Sequence, residues 1–394
     1  MTNTYKISTS KQSKIKSSLL IDLIRAKLIH DIMTEVDFIL IKNKIKTTAK
    51  KLIPVWIMNQ SLCKGFIIPY NATNNDQLAK DIKYFVTIGG TYNLANTIST
   101  SDSSNITNIV NRVLEELDIV NRFNKAYEML ESIKSENSGI INSSLDIKVT
   151  INNNLTYLKI DYETHPLLQQ YIDFNKQITL PTQVYKKLQK RFTQKNNNLF
   201  NNLVYSICMR YKALNSGNMQ LANEPELYKL LKEKCNINFE LFASALNCYY
   251  DKFCSLFPDI EQYFGSVGNF NNIKLIEGDY VSNPPFDNII MENMCTKLIS
   301  FIKSANKQDK HLSIFITIPY WKDTLEYGEY KSKKILEKST FITFSLILPK
   351  EKTKFYDHYL NRYISPGEMW YVVLQSNVAK RESKLVETLT KYFS

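Results

Sequence analysis

Glycine is scarce in this sequence, with 10 glycines among 394 residues. No glycine-rich loop follows the predicted strand at residues 239–243. A loop in which glycines let the backbone close around a phosphate is therefore excluded at that place. The small residues of segment 243–247 (ASALN) stand there instead, and they would still let the backbone approach a ligand.

Paired cysteines, clustered histidines and long apolar runs are also lacking. The six cysteines form no CxxC pair and the four histidines are scattered, so the spacing predicts no metal site. No apolar run is long enough to span a bilayer, and the polar start lacks the apolar core of a signal peptide. We therefore expect a soluble, intracellular protein of the nucleus or cytoplasm, with free thiols and no membrane partner.

Basic residues outnumber acidic ones. The chain has 50 Lys and Arg against 38 Asp and Glu, a formal charge of +12 and a pI near 9.1. This excess favours a polyanionic partner, of which nucleic acid is the commonest. Abundant Lys, Asn and Ile is also what an AT-rich genome produces whatever the function, and a cytoplasmic genetic element or virus with such a genome is one compatible source.

The first half of the chain is predicted to be mainly helical. Apolar residues recur at helical spacing over residues 15–53, where Pro54 ends the segment, and over residues 106–133. Segment 84–88 has strand character, and residues 147–160 alternate as a β-hairpin does. A polar break at residues 195–198 predicts a boundary between a helical accessory domain, residues 1–195, and a second domain, residues 196–394.

Strands alternate with helices in the second half, which predicts an α/β domain with a parallel sheet. The predicted strands lie at residues 239–243, 275–282, 312–318, 341–348 and 369–375. The predicted helices cover residues 200–214, 248–256 and 289–304.

The most informative motif is Asn283-Pro284-Pro285-Phe286, directly after the predicted strand 275–282. Proline cannot continue a sheet ladder, so the chain leaves the sheet on a rigid path. An amide, a carbonyl and an aromatic ring are thereby presented at the carboxyl end of a strand, where open α/β sheets bind ligands. Taken alone, the motif also fits a simple turn that closes a strand and buries Phe286.

This motif suits the methylation of an exocyclic amine such as N6 of adenine, whose lone pair is delocalised into the ring. The side-chain oxygen of Asn283 and the carbonyl of Pro284 can accept hydrogen bonds from the two N–H groups and redirect the lone pair. Phe286 can stack on the base, which is worth roughly 1–3 kcal/mol. Attack on a methyl sulfonium then needs neither a metal nor a strong base, because positioning and electrostatics carry the step.

Four blocks in order resemble the cap-specific adenosine N6-methyltransferase family, also called phosphorylated-CTD-interacting factor. They are residues 241–250 (LFASALNCYY), 257–266 with FPD and YFGS, 283–286 (NPPF) and 318–321 (IPYW). The resemblance implies a Rossmann-like methyltransferase domain preceded by a mainly helical domain, with S-adenosyl-L-methionine as donor. The implied substrate is capped mRNA whose first transcribed nucleotide is adenosine, often 2′-O-methylated.

The resemblance also implies roles for individual residues. Asn283, Pro284, Pro285 and Phe286 form the catalytic motif around the target adenine. The donor site comprises Asn283, Phe242, Ala243, Ser244, Asn247 and Asp259, and substrate contacts are assigned to Phe286, Trp321, Arg210 and Asn288. For three of them a structural role stays open, since Asn247 can cap a helix, Asp259 can be a turn residue and Arg210 can lie on the surface.

Two departures from the family pattern bear on partners. Asn288 stands where the family has an acidic residue, which weakens a polar contact to substrate there. A WW domain needs two closely spaced tryptophans, whereas this chain has Trp56, Trp321 and Trp370. We therefore expect no WW domain and no direct binding to the polymerase tail.

Two other functions fit the sequence. The tetrapeptide is compatible with an internal RNA or DNA adenine N6-methyltransferase, because DNA enzymes use similar motifs. A catalytically inactive cap- or RNA-binding scaffold is the second alternative. The basic runs at residues 186–191 and 331–334 fit either contacts to RNA phosphates or an ordinary solvated face.

Overall fold

The structure is a computed structural model. It describes residues 3–7, 18–59, 68, 76–89, 103–141, 144–161, 169, 171, 176–214, 220–321, 330–358 and 360–394.

The strands of the described residues run from β1 to β14 in chain order. They are β1 (Thr4–Ile7), β2 (Ile147–Asn152), β3 (Leu155–Ile160), β4 (Gln177–Pro181), β5 (Leu221–Asn223), β6 (Phe239–Glu240), β7 (Lys252–Cys254), β8 (Ser266–Gly268), β9 (Ile273–Ser282), β10 (Leu312–Pro319), β11 (Ile342–Leu348), β12 (Phe355–Asp357), β13 (Arg362–Ile364) and β14 (Met369–Gln375).

The α-helices of the described residues run from α1 to α14. They are α1 (Leu19–Lys42), α2 (Ala49–Asn59), α3 (Asp76–Gly89), α4 (Ser103–Leu117), α5 (Ile119–Glu136), α6 (Ser138–Ile141), α7 (Thr182–Arg191), α8 (Asn197–Ala213), α9 (Pro225–Cys235), α10 (Pro258–Glu261), α11 (Asn288–Lys307), α12 (Lys331–Glu337), α13 (Asn377–Glu382) and α14 (Leu385–Phe393). None of the helices described is long and apolar enough to cross a membrane.

The main sheet is mixed but mostly parallel. Its strand order is β11-β14-β10-β9-β6-β7-β8, with β1 added to β9. Strands β10, β9, β6, β7 and β8 run parallel to one another, whereas β14 is antiparallel to both β10 and β11, and β1 is antiparallel to β9. An α/β class with a mainly parallel sheet is thereby confirmed.

Both faces of the sheet are covered, because strands β9 and β10 alternate their apolar side chains between two cores. Ile314 and Ile316 face α11, and all eight residues of β10 are buried. Phe315 and Val281 face the opposite side, where α9, α14 and strand β12 pack. This continuous burial is typical of a central parallel strand.

The helical first half packs directly against the sheet region. Helix α1 lies against α8, and their core continues into Ala245, Leu246 and Phe253 on the sheet side. A small sheet of order β2-β3-β4 adjoins this core. The predicted boundary at residue 195 stays a prediction, since one apolar cluster spans it.

Three predicted elements are wrong. Segment 84–88 is helical within α3, in which Leu78, Ile82 and Val86 are buried at four-residue spacing. Pro54 lies inside α2 rather than ending the helix, in a turn whose neighbours Ile53 and Trp56 are buried. No helix covers residues 248–256, because that segment contains β7.

Predicted strand 239–243 is also shorter than expected, although Leu241 still donates from its backbone to Val281 at 2.8 Å. The later predicted strands and the helices α8 and α11 are confirmed within a few residues.

A buried ion-pair network joins the helical half to the sheet half. The guanidinium of Arg210 on α8 contacts Asp22 on α1 through Nε at 3.0 Å and Asp259 on α10 through Nη1 and Nη2 at 2.9 Å. Arg25 also binds Asp22, at 3.0 Å. Two arginines and two aspartates balance in charge, and the Arg210 and Asp22 side chains have no exposed surface.

Replacing Arg210 by Met should therefore destabilise the fold, because Asp259 loses its arginine partner and Asp22 loses one of its two arginine partners. We expect the free energy of unfolding to fall by about 3–5 kcal/mol. Chemical denaturation monitored by circular dichroism measures it. The matched control is Arg381→Met at an exposed position on α13, for which we expect a change within about 0.5 kcal/mol. Equal effects of the two variants would contradict the structural role of Arg210.

Candidate active site

Three neighbouring strands end at one edge of the sheet. Glu240 of β6 pairs with Val281 of β9, and Ser282 of β9 pairs with Ile316 of β10, all in parallel register. From β6 the chain proceeds to β7 on one side, whereas β9 and β10 lie on the other. This reversal of strand order is where open α/β sheets form a ligand crevice, outside the carboxyl ends of the strands.

Asn283 is the first residue after β9, and its amide orientation is determined by a neighbour. Its Nδ2 donates to the carbonyl of Leu221 on β5 at 3.2 Å. Because a carbonyl can only accept, Nδ2 must face Leu221 and Oδ1 must point away. Oδ1 is buried and has no hydrogen-bond partner among the described residues. A buried acceptor without a donor is costly, which makes this atom a candidate partner for a ligand N–H.

The two prolines lead the chain from β9 into α11. The carbonyl of Pro285 accepts from Asp287 N at 2.8 Å, whereas the carbonyl of Pro284 accepts no backbone hydrogen bond from the described residues. Asp287 then caps α11 by accepting from Ile289 N and Ile290 N at 3.1 and 3.0 Å. The carbonyl of Pro284 is therefore a second acceptor in the same turn as Asn283.

Aromatic side chains stand at the same edge. Phe286 is half-buried and meets Phe355 of β12 edge-on, with ring centroids 6.2 Å apart. Trp321, just after β10, is half-buried and lies 5.2 Å from the ring of Tyr330. Edge-on packing supports Phe286 from the side while part of the ring stays open, as stacking on a base requires.

The loop after β6 is held by two buried carboxylates that sequence reasoning missed. Glu240 accepts from the backbone of Tyr249 and Tyr250 at 2.7 and 2.8 Å. Glu261 accepts from Ala245 N at 2.7 Å and from Phe257 N at 3.1 Å. Burial raises the pKa of each to about 7. These acceptors, rather than glycines, give the loop its shape.

Ser244 and Asn247 close a turn within this loop. Asn247 accepts from Ser244 N at 2.7 Å, and the Ser244 hydroxyl accepts from Leu246 N and Asn247 N, each at 3.2 Å. Asn247 therefore stabilises the turn, in place of the helix cap that the sequence suggested. Phe242, at the loop's start, packs on Phe270 with centroids 4.5 Å apart, and Ala243 N donates to Cys254 O at 3.0 Å.

The structure brings most predicted site residues to one edge, but not all in the expected role. Arg210 is buried between Asp22 and Asp259, so its charge serves the ion-pair network. Asp259 lies on α10 after β7, with its side chain 22% exposed and both oxygens beside Arg210. Asn288 is the first residue of α11, and its buried Oδ1 has no partner among the described residues.

Two further buried amides adjoin the motif, and no sequence signal pointed to them. Gln220 and Asn223 have relative exposures of 1% and 2%, and they flank the Leu221 carbonyl that binds Asn283. Gln220 Nε2 and Asn223 Oδ1 have no hydrogen-bond partner among the described residues. Together with Asn283 Oδ1, these are three buried amide atoms without partners in the described part of the chain. Two of them lie on segment 220–223, which is hydrogen-bonded to Asn283 through Leu221.

The basic run on α7 has a structural contact. Lys187 Nζ donates to the carbonyls of Leu246 and Cys248 at 2.7 and 3.2 Å. Arg191 donates to the carbonyls of Tyr250 and Tyr249 at 2.7 and 3.0 Å. Helix α7 therefore holds the loop after β6 from the helical half. Within the described residues, no cluster of His, Cys, Asp and Glu suits a metal ion.

Comparisons with known proteins show what this chain is similar to. Residues 176–358 match the family model "Phosphorylated CTD interacting factor 1 WW domain". Two curated relatives, from Homo sapiens and Mus musculus, are each named "mRNA (2'-O-methyladenosine-N(6)-)-methyltransferase". Each is 32% identical over 123 residues, which are 31% of this chain and 16% of the relative. The resemblance found in the sequence is confirmed, and this chain matches about a sixth of the relatives' length.

The expectation of no WW domain is wrong, because the matching family model is described as a WW domain. The matched range contains β4 to β12, residues 283–286 and a single tryptophan, Trp321. The number of tryptophans therefore does not argue against contact with a polymerase tail.

The raised pKa of Glu261 predicts how the stability of the protein depends on pH. Its pKa rises from 4.5 to about 7 by burial, so the folded state keeps a proton that the unfolded state loses. The stability it contributes is present below pH 4.5 and is lost as the pH rises towards 7. The free energy of unfolding of the wild type should fall more steeply between pH 5 and 7 than that of Glu261→Gln.

Glu261→Gln should also destabilise by about 1–3 kcal/mol at pH 5, because its amide would face a backbone donor. Urea unfolding at three pH values measures both effects. The control is Glu233→Gln at an exposed site, which should keep the wild-type slope. Identical slopes in Glu261→Gln and the wild type would refute the assignment.

Proposed function

We propose that this chain is an S-adenosylmethionine-dependent RNA methyltransferase that modifies N6 of the first transcribed adenosine next to the mRNA cap. The observation that carries the proposal is the unpartnered Oδ1 of Asn283, held in the Asn-Pro-Pro-Phe turn at the carboxyl edge of the sheet. The names of the curated relatives support the same reaction.

The residues at this edge suit a sulfonium methyl donor. We propose a Rossmann-like domain, because β6 and β9 flank the reversal of strand order, where such folds bind nucleotide cofactors. Asn283 would border the methyl group, and segment 243–247 would approach the amino-acid end. Phe242 follows β6 and Asp259 lies on α10 after β7, so we propose that both lie near the nucleoside end. When bound, the donor supplies an activated methyl group.

The chain's own residues would prepare the amine. Asn283 Oδ1 and the Pro284 carbonyl would each accept one N–H of adenine N6, which draws the nitrogen lone pair out of conjugation. Phe286 would hold the ring by stacking, with its edge supported by Phe355. Both acceptors are neutral, so neither removes the proton before transfer. The proton of the amine would leave to solvent once the new N–C bond has formed and the bond from the methyl carbon to the donor's sulfur has broken.

Cap selection requires groups outside the tetrapeptide. Trp321 stands after β10 at the same edge, and its indole could stack on the cationic 7-methylguanine. The helical half contacts the loop after β6 through Lys187 and Arg191. We propose that Trp321 and residues 1–195 read the cap, and that Asn288 contributes a polar contact to the substrate.

Asn283→Ala should reduce kcat/KM for methyl transfer by roughly 10²–10³-fold, because one of two preorganised acceptors is lost. Phe286→Ala should mainly weaken RNA binding, with a cost of roughly 1–3 kcal/mol. Both are measured by transfer of a radiolabelled methyl group to capped RNA. The control is Asn272→Ala, at an exposed site remote from the motif, for which activity should stay unchanged. Robust turnover by Asn283→Ala would refute its assigned role.

Substrate choice is tested with matched oligonucleotides. We expect transfer to capped RNA that begins with adenosine, and little transfer to uncapped RNA or to RNA that begins with guanosine. Equal labelling of capped and uncapped RNA would overturn the cap-specific part and favour an internal adenine methyltransferase. Labelling of DNA would favour the DNA alternative. No binding of S-adenosylhomocysteine in calorimetry would favour the inactive scaffold.

A further inference from the structure

Gln220 is a buried amide that the proposed chemistry leaves unused. It is 1% exposed and lies just before β5, between the loop after β6 and the Asn-Pro-Pro-Phe turn. Its Oε1 accepts from the hydroxyl of Ser244 at 2.7 Å. The next residue in the chain, Leu221, binds Asn283 through its backbone carbonyl. Gln220 therefore contacts the loop after β6 directly and is next in sequence to the residue that binds the Asn-Pro-Pro-Phe turn.

The orientation of this amide follows from the hydrogen bonds of Ser244. The hydroxyl of Ser244 already accepts from Leu246 N and Asn247 N. Its lone pairs are therefore occupied, and its single proton must be donated. The stronger acceptor by distance is Gln220 Oε1 at 2.7 Å, against Asn247 Oδ1 at 3.1 Å. Gln220 thus presents oxygen to Ser244 and nitrogen to the other side.

The amide nitrogen of Gln220 is the atom that lacks a hydrogen-bond acceptor among the described residues. This nitrogen, Nε2, is also buried. A buried donor in this state costs about 1–3 kcal/mol, which an incoming acceptor relieves. The group that fits best is one that only accepts and carries charge, because hydrogen bonds to ionised acceptors are roughly twice as strong. A carboxylate has these properties.

We propose that Nε2 of Gln220 binds the carboxylate at the amino-acid end of the methyl donor. This assignment rests on the proposed function, in which segment 243–247 approaches that end. Ser244, the partner of Gln220, lies in that segment. The loop after β6 offers few free N–H groups for the carboxylate, since the backbone of Ala245 is bound by Glu261 and those of Tyr249 and Tyr250 by Glu240. The Gln220 amide replaces them.

Two ligands separate this role from a general structural one. S-adenosylhomocysteine has the amino-acid end, whereas 5′-deoxy-5′-methylthioadenosine keeps the adenine, ribose and sulfur but lacks the amino-acid end. Gln220→Met removes the N–H donors at similar volume, and Ser244 can turn its proton to Asn247. Gln220→Glu keeps an acceptor for Ser244 and places a carboxyl group where the donor was.

Both variants should bind S-adenosylhomocysteine roughly ten- to a hundredfold more weakly, as measured by calorimetry at pH 8. Their affinity for methylthioadenosine should stay within about twofold of wild type. The matched control is Gln189→Glu on the exposed face of α7, which should bind both ligands as the wild type does. Thermal melting of each variant shows that the fold is retained.

Three results would overturn the proposal. An equal loss for both ligands would show that Gln220 supports the site without contacting the carboxylate. Unchanged affinity for S-adenosylhomocysteine would show that Nε2 does not bind the donor. Wild-type protein that binds neither ligand would remove the donor site itself and with it the proposed function. In contrast, wild-type donor binding without cap-dependent transfer would overturn the substrate while leaving the role of Gln220 intact.

Discussion

The end of strand β9 is the constraint on which the rest of the site depends. Two prolines force the chain out of the sheet there, and the bond from Asn283 Nδ2 to the Leu221 carbonyl then fixes the direction of the amide. Oδ1 is left as an acceptor that the protein itself does not use. If either the prolines or the Leu221 carbonyl were displaced, the amide of Asn283 would rotate or move.

Charged side chains hold the loop after β6 in position through hydrogen bonds. In other nucleotide-binding folds a glycine-rich loop stands at this place. Glu240 and Glu261 bind backbone N–H groups of the loop after β6, and Lys187 and Arg191 bind its carbonyls. The loop is thus held from both the sheet and the helical half. A change in the helical half can therefore reach the loop through two side chains of α7.

The parts of the structure that could be predicted were those encoded by a local sequence pattern. Continuous apolar residues predict the strands around β9 and β10, and the tetrapeptide indicates that the chain leaves the sheet. Segment 84–88 misled because a short apolar run fits a strand and a buried helix equally well. The role of Asn247 stayed open at the sequence level, because the turn at residues 244–247 depends on its own bond to Ser244 and on Glu261, which is 16 positions from Ala245 in the chain.

Roles that depend on partners far along the chain could not be predicted. Arg210 is separated from Asp22 by 188 positions, so the sequence could not show that its charge is neutralised inside the protein. The same holds for Gln220 and Asn223, which carry no motif and become notable only because buried amide atoms lack partners. Asn283 and Phe286, in contrast, are predicted from the tetrapeptide, and the structure adds the orientation of the Asn283 amide and the contact of Phe286 with Phe355.

The central claim is that Asn283 and Pro284 hold an exocyclic amine by two acceptors. The most direct measurement compares the affinities of two capped oligonucleotides that begin with adenosine or with inosine, in the presence of S-adenosylhomocysteine. Inosine replaces the amine by a carbonyl, which would face both acceptors. We expect at least tenfold weaker binding of the inosine oligonucleotide to the wild type, about 1.4 kcal/mol, and a much smaller difference in Asn283→Ala. Equal affinity of the wild type for both oligonucleotides would contradict it.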